Sequence, residues 1–307
     1  MAFVALLSFL AQAAAVPGSQ IAYVPERVFD TRRNAFGDFE VMLADLASAD
    51  VIVVGEHHDD PNTHRLQHAI LDGFRRRHLA VTVSLEMFER DVQPTLDSYL
   101  AGTITEAQFL EAARPWPRYA TDYRPLVELA KDQGWRVVAA NVPRRYAADV
   151  AKSGKSALDR LSGLDRAMAA QDIACPQDTY FERFAKVMSD HRSSGKPGDT
   201  SATSERTKPP DPATTERYYW SQCVKDETMA ESIARAFDPS HGEQGPIVHF
   251  NGSFHSDFGG GVTERIRRRL EGRRIAVVTI LPVTNIDTLA PSREDLKRAD
   301  FLVYTVK

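Results

Sequence analysis

The chain has 307 residues, of which 43% are hydrophobic and 26% are charged, so it can bury one large core or one core plus a small second lobe. Its formal net charge of −4 gives no whole-molecule attraction to nucleic acid or to anionic membranes, because both need a basic surplus. Arginine runs at 75–77 and 267–269 are interpreted as solvated helix faces. The composition therefore predicts a globular protein with no nucleic-acid partner.

The first twenty residues differ from the rest. Residues 2–10 are almost wholly apolar, and the small side chains at 11–15 are typical of a signal-peptidase cleavage site. The apolar stretch is shorter than the roughly 20 residues that span a bilayer. We expect residues 1–20 to be a signal peptide and the mature chain to be periplasmic or otherwise exported, with no transmembrane segment and no lipidated cysteine. The alternative is an apolar helix at the start of a cytosolic protein.

Two cysteines, Cys175 and Cys223, are too few for a disulfide scaffold and are not spaced as a metal knuckle. In an oxidising compartment they can form one disulfide bond. The alternative is two buried thiols, and the sequence leaves both open.

Short runs rich in β-branched residues recur along the chain and are separated by helical patterns. The runs lie at 51–54, 80–85, 135–140, 246–250 and 275–281, with a late run at 300–306 that suits an edge strand. Runs of this kind are typical of strands buried on both faces. Strand and helix in alternation predict an α/β fold with a mostly parallel central sheet flanked by helices.

The middle of the chain breaks this alternation, because its pattern is helical without a strand candidate. Between the helical parts, residues 193–216 are rich in Ser, Thr, Gly, Pro and Lys, which predicts a flexible or disordered loop. We therefore divide the chain into an α/β core at 21–147 plus 239–307 and a helical insert, a lid subdomain, at 148–238.

Polar residues follow four of the predicted strands at their carboxyl ends. Residues 55–60, Glu86, Asn141 and the segment from Asn251 to His255 take these positions. Parallel α/β sheets place their ligand crevice at this edge, so the groups are expected to converge on one rim. Desolvating so many polar groups is costly unless they bind one another or a ligand, which favours a binding site.

Histidines near the first strand need separate interpretation. His57 and His58 are neighbours, so one of the two is expected to reach a given ion. His64 and His68 share a helix face, where they either ligate or pack beneath the sheet. Glu86 is either a carboxylate bonded to backbone amides or a ligand or general base.

These residues resemble the ChaN family of haem-uptake proteins, and the resemblance extends in order over most of the chain from about residue 25 to 285. The segments that carry it are Gly55-Glu56-His57-His58-Asp59-Asp60-Pro61 with His64 and Gln67, Ser84 to Arg90, Trp116 to Pro125, Asn141-Val142-Pro143, Gln222 to Ala230, and Asn251 to His255. The resemblance implies an α/β core with a helical lid and a haem pocket. A wider superfamily, with the Tiki proteases and erythromycin esterases, is similar in its Gly-Glu-His motifs.

Haem binding requires an apolar slot, an axial ligand and cations near the propionates. The candidate haem-binding residues are His57, His58, His64, Tyr119, Tyr123, Tyr180, Tyr218, Asn251 and His255. The candidate propionate partners are Arg118, Arg124 and Arg144. No Cys-x-x-Cys-His motif is present, which excludes covalent haem attachment of that kind.

Two functions remain open. The first is a carrier of ferric haem for haem or iron uptake, without turnover, with a haem transporter or receptor and a homodimer as possible partners. The second is a metal-dependent hydrolase in which Glu56, His58, Glu86 and His255 bind a divalent ion, with Glu56, Glu86 and His255 as catalytic groups. The resemblance favours the first.

Overall fold

A single eight-stranded sheet organises the fold of the computed structural model, which describes residues 24–77, 80–193, 211–237 and 245–307. The predicted signal peptide at 1–20 lies outside these residues, as does most of the predicted loop. The strands are β1 Glu26–Asp30, β2 Ala35–Gly37, β3 Val51–Glu56, β4 Thr82–Glu89, β5 Val137–Asn141, β6 Ile247–Gly252, β7 Ile275–Val283 and β8 Phe301–Val306. The helices are α1 Phe39–Leu46, α2 Pro61–Arg76, α3 Gln93–Leu100, α4 Glu106–Ala113, α5 Tyr119–Asp122, α6 Arg124–Asp132, α7 Arg144–Ser153, α8 Ser156–Asp159, α9 Gly163–Ala167, α10 Thr179–Ser193, α11 Pro212–Ala236 and α12 Gly261–Arg269.

The strand order is β2-β1-β8-β7-β3-β6-β4-β5. Pairs from β8 to β5 are parallel, whereas β1 runs antiparallel to both β2 and β8. The α/β class with flanking helices is confirmed, but the expectation of a mostly parallel sheet is wrong, because the sheet is mixed. The amino-terminal hairpin of β1 and β2 adds the antiparallel pairs, and it also makes β8 an interior strand instead of the expected edge.

Two apolar layers cover the two faces of the sheet. On one face, Ile52 and Val54 of β3 pack with the α2 side chains Ile70 and Phe74. On the opposite face, Val51 and Val53 pack with α11 and α12 residues such as Ile233 and Ile266. Side chains alternate between faces along a strand, so β3 is apolar on both sides, as its continuous run of β-branched residues predicts.

Helix α2 begins directly after β3 because its first residues satisfy the free backbone amides there. The Asp60 carboxylate accepts a hydrogen bond from the Thr63 amide at 2.7 Å, and Pro61 occupies the first turn, where no amide donor is needed. Helix α11 starts in the same way, with Asp211 accepting from the Thr214 amide at 3.0 Å and Pro212 following it. These caps fix where α2 and α11 begin, and both helices supply side chains to the site.

Helix α11 joins the predicted insert to the sheet. Its carboxyl-terminal half carries Met229, Ala230 and Ile233 into the core layer. The helix already begins at Pro212, so the last residues of the predicted loop at 193–216 are helical. No helix among the described residues is long and apolar enough to cross a membrane.

Candidate functional site

The carboxyl ends of the parallel strands meet at one edge, as their register requires. Glu56 lies opposite Gly252, and Glu89 lies opposite Asn141. A cavity of about 880 Å³ opens at this rim. It is lined by Glu56, His57, His58, Asp59, Glu86, Glu89, Trp116, Pro117, Asn141, Val142, Arg144, Phe184, Val187, Gln222, Lys225, Gly252, Ser253, Phe254 and His255.

The buried carboxylate of Glu56 organises the first polar cluster. Its Oε1 accepts from His58 Nδ1 at 2.5 Å and from the Tyr123 hydroxyl at 3.0 Å, and its Oε2 accepts from Gln67 Nε2 at 2.5 Å. Burial lowers the pKa of His58, but the bond to Glu56 and the charges of Glu56 and Glu86 outweigh it, so the pKa is raised. Burial and the Glu56 charge raise the pKa of Tyr123, so the phenol stays protonated.

A second cluster centres on His255, which lies between two carboxylates. Its Nδ1 is 2.6 Å from Asp226 Oδ1, and its Nε2 is 3.1 Å from Glu86 Oε1. Burial alone would lower the pKa of His255, but the two carboxylates raise it to about 10. Burial would raise the pKa of Glu86, but His255, His58 and the Gly252 amide lower it to about 2. His255 is therefore a buried imidazolium with both ring nitrogens engaged.

The two clusters approach each other at Gly252. A Cβ added there would lie 2.7 Å from His58 Nε2 and 3.8 Å from Glu86 Oε2. The absence of a side chain at residue 252 therefore lets the His58 ring lie against the backbone of β6.

Among the described residues, no group of three or more His, Cys, Asp or Glu side chains is arranged to hold a metal ion. The predicted metal set of Glu56, His58, Glu86 and His255 is therefore not supported. The physical reason lies in the contacts, because each carboxylate is bound to its own histidine. Glu56 also binds the side chain of Gln67 on α2. Glu86 instead binds His255, which is held by Asp226 of α11 on the other face of the sheet.

Part of the cavity lining is apolar. The apolar residues are Trp116, Pro117, Val142, Phe184, Val187 and Phe254. The Trp116 ring packs edge-on against His58, with ring centroids 5.2 Å apart. Two cations, Arg144 and Lys225, lie on the same lining.

Several residues predicted for the site lie behind the cavity instead of on its wall. His64 is buried, with Nδ1 3.0 Å from Gln67 Oε1 and Nε2 3.4 Å from Asp122 Oδ2. Asn251 is buried and donates to the Gly252 carbonyl oxygen at 2.8 Å. His64 Nε2 also lies 3.2 Å from the carbonyl oxygen of His58. Each of the two side chains therefore contacts the backbone of a lining residue, His58 or Gly252.

None of the tyrosines that the structure describes lines the cavity. Tyr119 is buried in the core layer, and Tyr180 donates its hydroxyl to Asp226 Oδ2 at 2.8 Å. Burial and that carboxylate raise the pKa of Tyr180. Tyr218 is 39% exposed on α11. Of the predicted propionate partners, Arg144 lines the cavity, Arg118 pairs with Asp122, and Arg124 pairs with Glu106.

Sequence reasoning missed the functional side chains of α11. Gln222, Lys225 and Asp226 stand three and four residues apart, so they share one face of the helix. That spacing, within a segment that already resembled the family, was the available signal. Cys223, on the same helix, is disulfide-bonded to Cys175, which settles the alternative that the sequence left open.

The sequence profile of one family matches residues 42–266, more than half of the chain. Its description is haem-binding uptake, Tiki superfamily, ChaN. The chain belongs to this family. The resemblance inferred from the motifs is thereby confirmed, and haem-binding uptake is the general function of this ChaN-like family. None of the curated proteins matches the chain.

One solved structure shows the same fold, and two further structures match less well. ChaN of Campylobacter jejuni, whose structure is described as cofacial haem binding, matches with a TM-score of 0.62 and 18% identity over 92% of this chain and 97% of that one. A protein from Bacillus cereus matches with a TM-score of 0.47 and 11% identity, covering 85% and 91%. An erythromycin esterase mutant in its open conformation matches with a TM-score of 0.45 and 14% identity, covering 92% and 83%.

Proposed function

We propose that this chain binds haem in the rim cavity and takes part in haem or iron uptake. The observation that carries the proposal is the cavity, which combines a volume of about 880 Å³ with six apolar lining residues and polar groups held at the strand ends. Small-molecule sites span about 300–1,000 Å³ and are mostly apolar, with a few fixed polar groups. A planar, largely apolar tetrapyrrole with a central iron suits such a site.

We propose two candidate iron ligands. His58 lines the cavity, whereas Tyr218 lies outside the lining, one helical turn before the lining residue Gln222 on the same face of α11. The Nδ1 atom of His58 is engaged by Glu56, which leaves Nε2 for a metal, and metal-bound histidines commonly donate their other nitrogen to a carboxylate. Tyr218 makes no hydrogen bond with any described residue. We set His255 aside because both of its nitrogens are engaged.

Buried tyrosines suit the role of ligand less well. Tyr123 and Tyr180 donate their hydroxyls to carboxylates, and burial together with those charges raises the pKa of both. A phenolate is therefore disfavoured at either position.

Helices α10 and α11 form the cover of the site in this proposal. Helix α10 contributes Phe184 and Val187 to the lining, and helix α11 contributes Gln222 and Lys225. The cover thus supplies apolar contacts from one helix and polar contacts from the other, which matches the mixed character of haem.

We further propose that the cargo is ferric haem, that the chain is exported through residues 1–20, and that it passes haem to a transporter or receptor. The family description supports an uptake role. A homodimer is proposed because the C. jejuni structure is described as cofacial haem binding. Sedimentation with and without haemin tests the dimer, and a monomer in both states would contradict it.

The test of the cavity uses two matched valines. Val187 lines the cavity on α10 and is 38% exposed, whereas Val41 is 57% exposed on α1, and its side chain is not part of that lining. We expect Val187→Glu to weaken haemin affinity about tenfold or more, because the substitution replaces an apolar residue of the lining with a carboxylate. Val41→Glu should bind like the unmodified chain. Equal affinity of both variants would place haem elsewhere.

A second candidate function is hydrolysis, and one observation favours it. Two carboxylate–histidine pairs, Glu56 with His58 and Glu86 with His255, face the same cavity, which is a plausible arrangement for general acid–base chemistry on a bound ester or amide. Turnover of a panel of esters in the presence of a chelator tests it. Activity lost in both Glu56→Gln and Glu86→Gln would support hydrolysis, and no turnover would remove it.

A further inference from the structure

The charges on the cavity wall are almost, but not fully, balanced. Four carboxylates line the cavity, and each has a cationic partner. The pairs are Glu56 with His58 at 2.5 Å, Asp59 with Arg118 at 3.4 Å, Glu86 with His255 at 3.1 Å, and Glu89 with Arg144 at 2.8 Å and Arg114 at 3.1 Å. The acidic side of the site is therefore already neutralised within the chain.

Lys225 is the cation of the lining that has no such partner. Its side chain is half-buried on α11, and it makes no ion pair or hydrogen bond with any residue that the structure describes. An ammonium group that has lost part of its hydration without gaining a counter-charge is unfavourable. The position is therefore suited to an anionic group brought by a ligand.

Arg144 is only partly engaged. It donates Nε to Glu89, its side chain is 67% exposed, and its terminal amino groups make no hydrogen bond within the described chain. Two amino groups, with four N–H donors, thus remain on a guanidinium that lines the same cavity.

The segment from the end of β5 into α7 packs antiparallel to α11, which places these two residues at corresponding positions. Ser232 donates to the Ala140 carbonyl oxygen at 2.8 Å, and Ser221 donates to that of Ala147 at 2.7 Å. As the chain advances from residue 140 to 147, its partner on α11 therefore moves back from 232 to 221. Residue 144 falls opposite the segment around residue 225 in this antiparallel arrangement.

We propose that Lys225 and Arg144 form a carboxylate clamp, which binds the acidic substituents of the ligand while its apolar ring packs on the apolar residues of the lining. The clamp rests on the proposed function, since the carboxylates in question are the propionates of haem. It also defines the class of ligand: a planar apolar molecule with at least one carboxylate at its edge.

The experiment compares haemin with haemin dimethyl ester, in which both carboxylates are masked. We expect the unmodified chain to bind haemin about tenfold more tightly than the ester, as one charge-assisted hydrogen bond or more would give. Lys225→Gln and Arg144→Gln should reduce this preference and leave the affinity for the ester unchanged. Lys152→Gln, at an exposed lysine of α7 that is not part of the cavity lining, is the matched control and should keep the full preference.

Iron-free protoporphyrin and its dimethyl ester provide a second pair of probes, which removes iron ligation from the comparison. A preference for the free acid that persists there, and that falls in Lys225→Gln, supports the clamp. Equal affinity for acid and ester in the unmodified chain, or an equal loss for both in Lys225→Gln, would overturn the clamp while haem binding stands. Failure of every probe to bind saturably would overturn the proposed function and the clamp with it.

Discussion

The Nδ1 atom of His255 lies 2.6 Å from Oδ1 of Asp226, a residue of α11, while its Nε2 faces Glu86 at 3.1 Å. The imidazolium thus connects the end of β4 with the helix on that face of the sheet. Removing one partner of a buried ion pair leaves the other charge uncompensated, which typically costs about 3–5 kcal/mol. This contact is therefore expected to matter for stability as well as for the site.

The first prediction concerns the pH dependence of the free energy of unfolding. The pKa of His255 is raised from 6.5 to about 10, so its contribution is full below 6.5 and is lost as pH rises toward 10. The pKa of Glu86 is lowered from 4.5 to about 2, so its contribution is full above 4.5 and is lost as pH falls toward 2. Stability from this pair should be greatest between these two limits, pH 4.5 and 6.5.

Urea denaturation from about pH 2 to about pH 10 measures the effect, because the contributions are lost outside the two limits. Asp226→Asn should lower the free energy of unfolding by about 3 kcal/mol near neutral pH and flatten its decline on the alkaline side. If the variant keeps the same stability and the same pH profile as the unmodified chain, His255 is not the charged group described here.

The second prediction concerns Gly252. An alanine Cβ there would lie 2.7 Å from His58 Nε2, so the imidazole must move, although a φ of −58° suits any residue. Gly252→Ala should therefore fold and change the affinity or the absorption spectrum of bound haemin. Gly37→Ala is the matched control, because nothing lies within 4 Å of a Cβ at that position. Identical haemin binding by both variants would contradict a role for the His58 position.

The third prediction concerns the disulfide bond between Cys175 and Cys223. It closes a loop with a sequence separation of 48, for which the chain-entropy estimate of stabilisation is on the order of 4 kcal/mol. Reductant should lower the melting temperature of the unmodified chain. The double variant Cys175→Ala with Cys223→Ala should start lower and show no response to reductant. A melting temperature that reductant leaves unchanged in the unmodified chain would argue against the bond in solution.

Local sequence patterns were sufficient to predict the six strands β3 to β8 and the rim, because these strands are apolar runs and four of them end in polar residues. Strands β1 and β2 were missed, since a five-residue strand with two charged residues, followed by an exposed three-residue strand, has no comparable apolar run. Because these two strands were missed, the antiparallel edge of the sheet was not predicted.

The site was predictable in its strand-end residues and less so in its long-range partners. Glu86 lies in the carboxyl-terminal half of β4 and His255 follows β6, and their convergence follows from the parallel pairing of these two strands. Asp226 holds His255 from a helix 29 residues away, a contact that no local pattern specifies. The roles of the tyrosines were also not predictable, because a sequence does not reveal whether a tyrosine hydroxyl faces a cavity or a buried carboxylate. Tyr123 and Tyr180 face carboxylates.

The most direct test of haem binding is a haemin titration of the purified mature chain, followed through the Soret and charge-transfer bands, with His58→Ala and Tyr218→Phe measured beside it. We expect a saturable spectrum of histidine or tyrosinate type that one of the two variants alters, which also assigns the iron ligand. Weak, featureless binding that neither substitution changes would contradict the haem-carrier function.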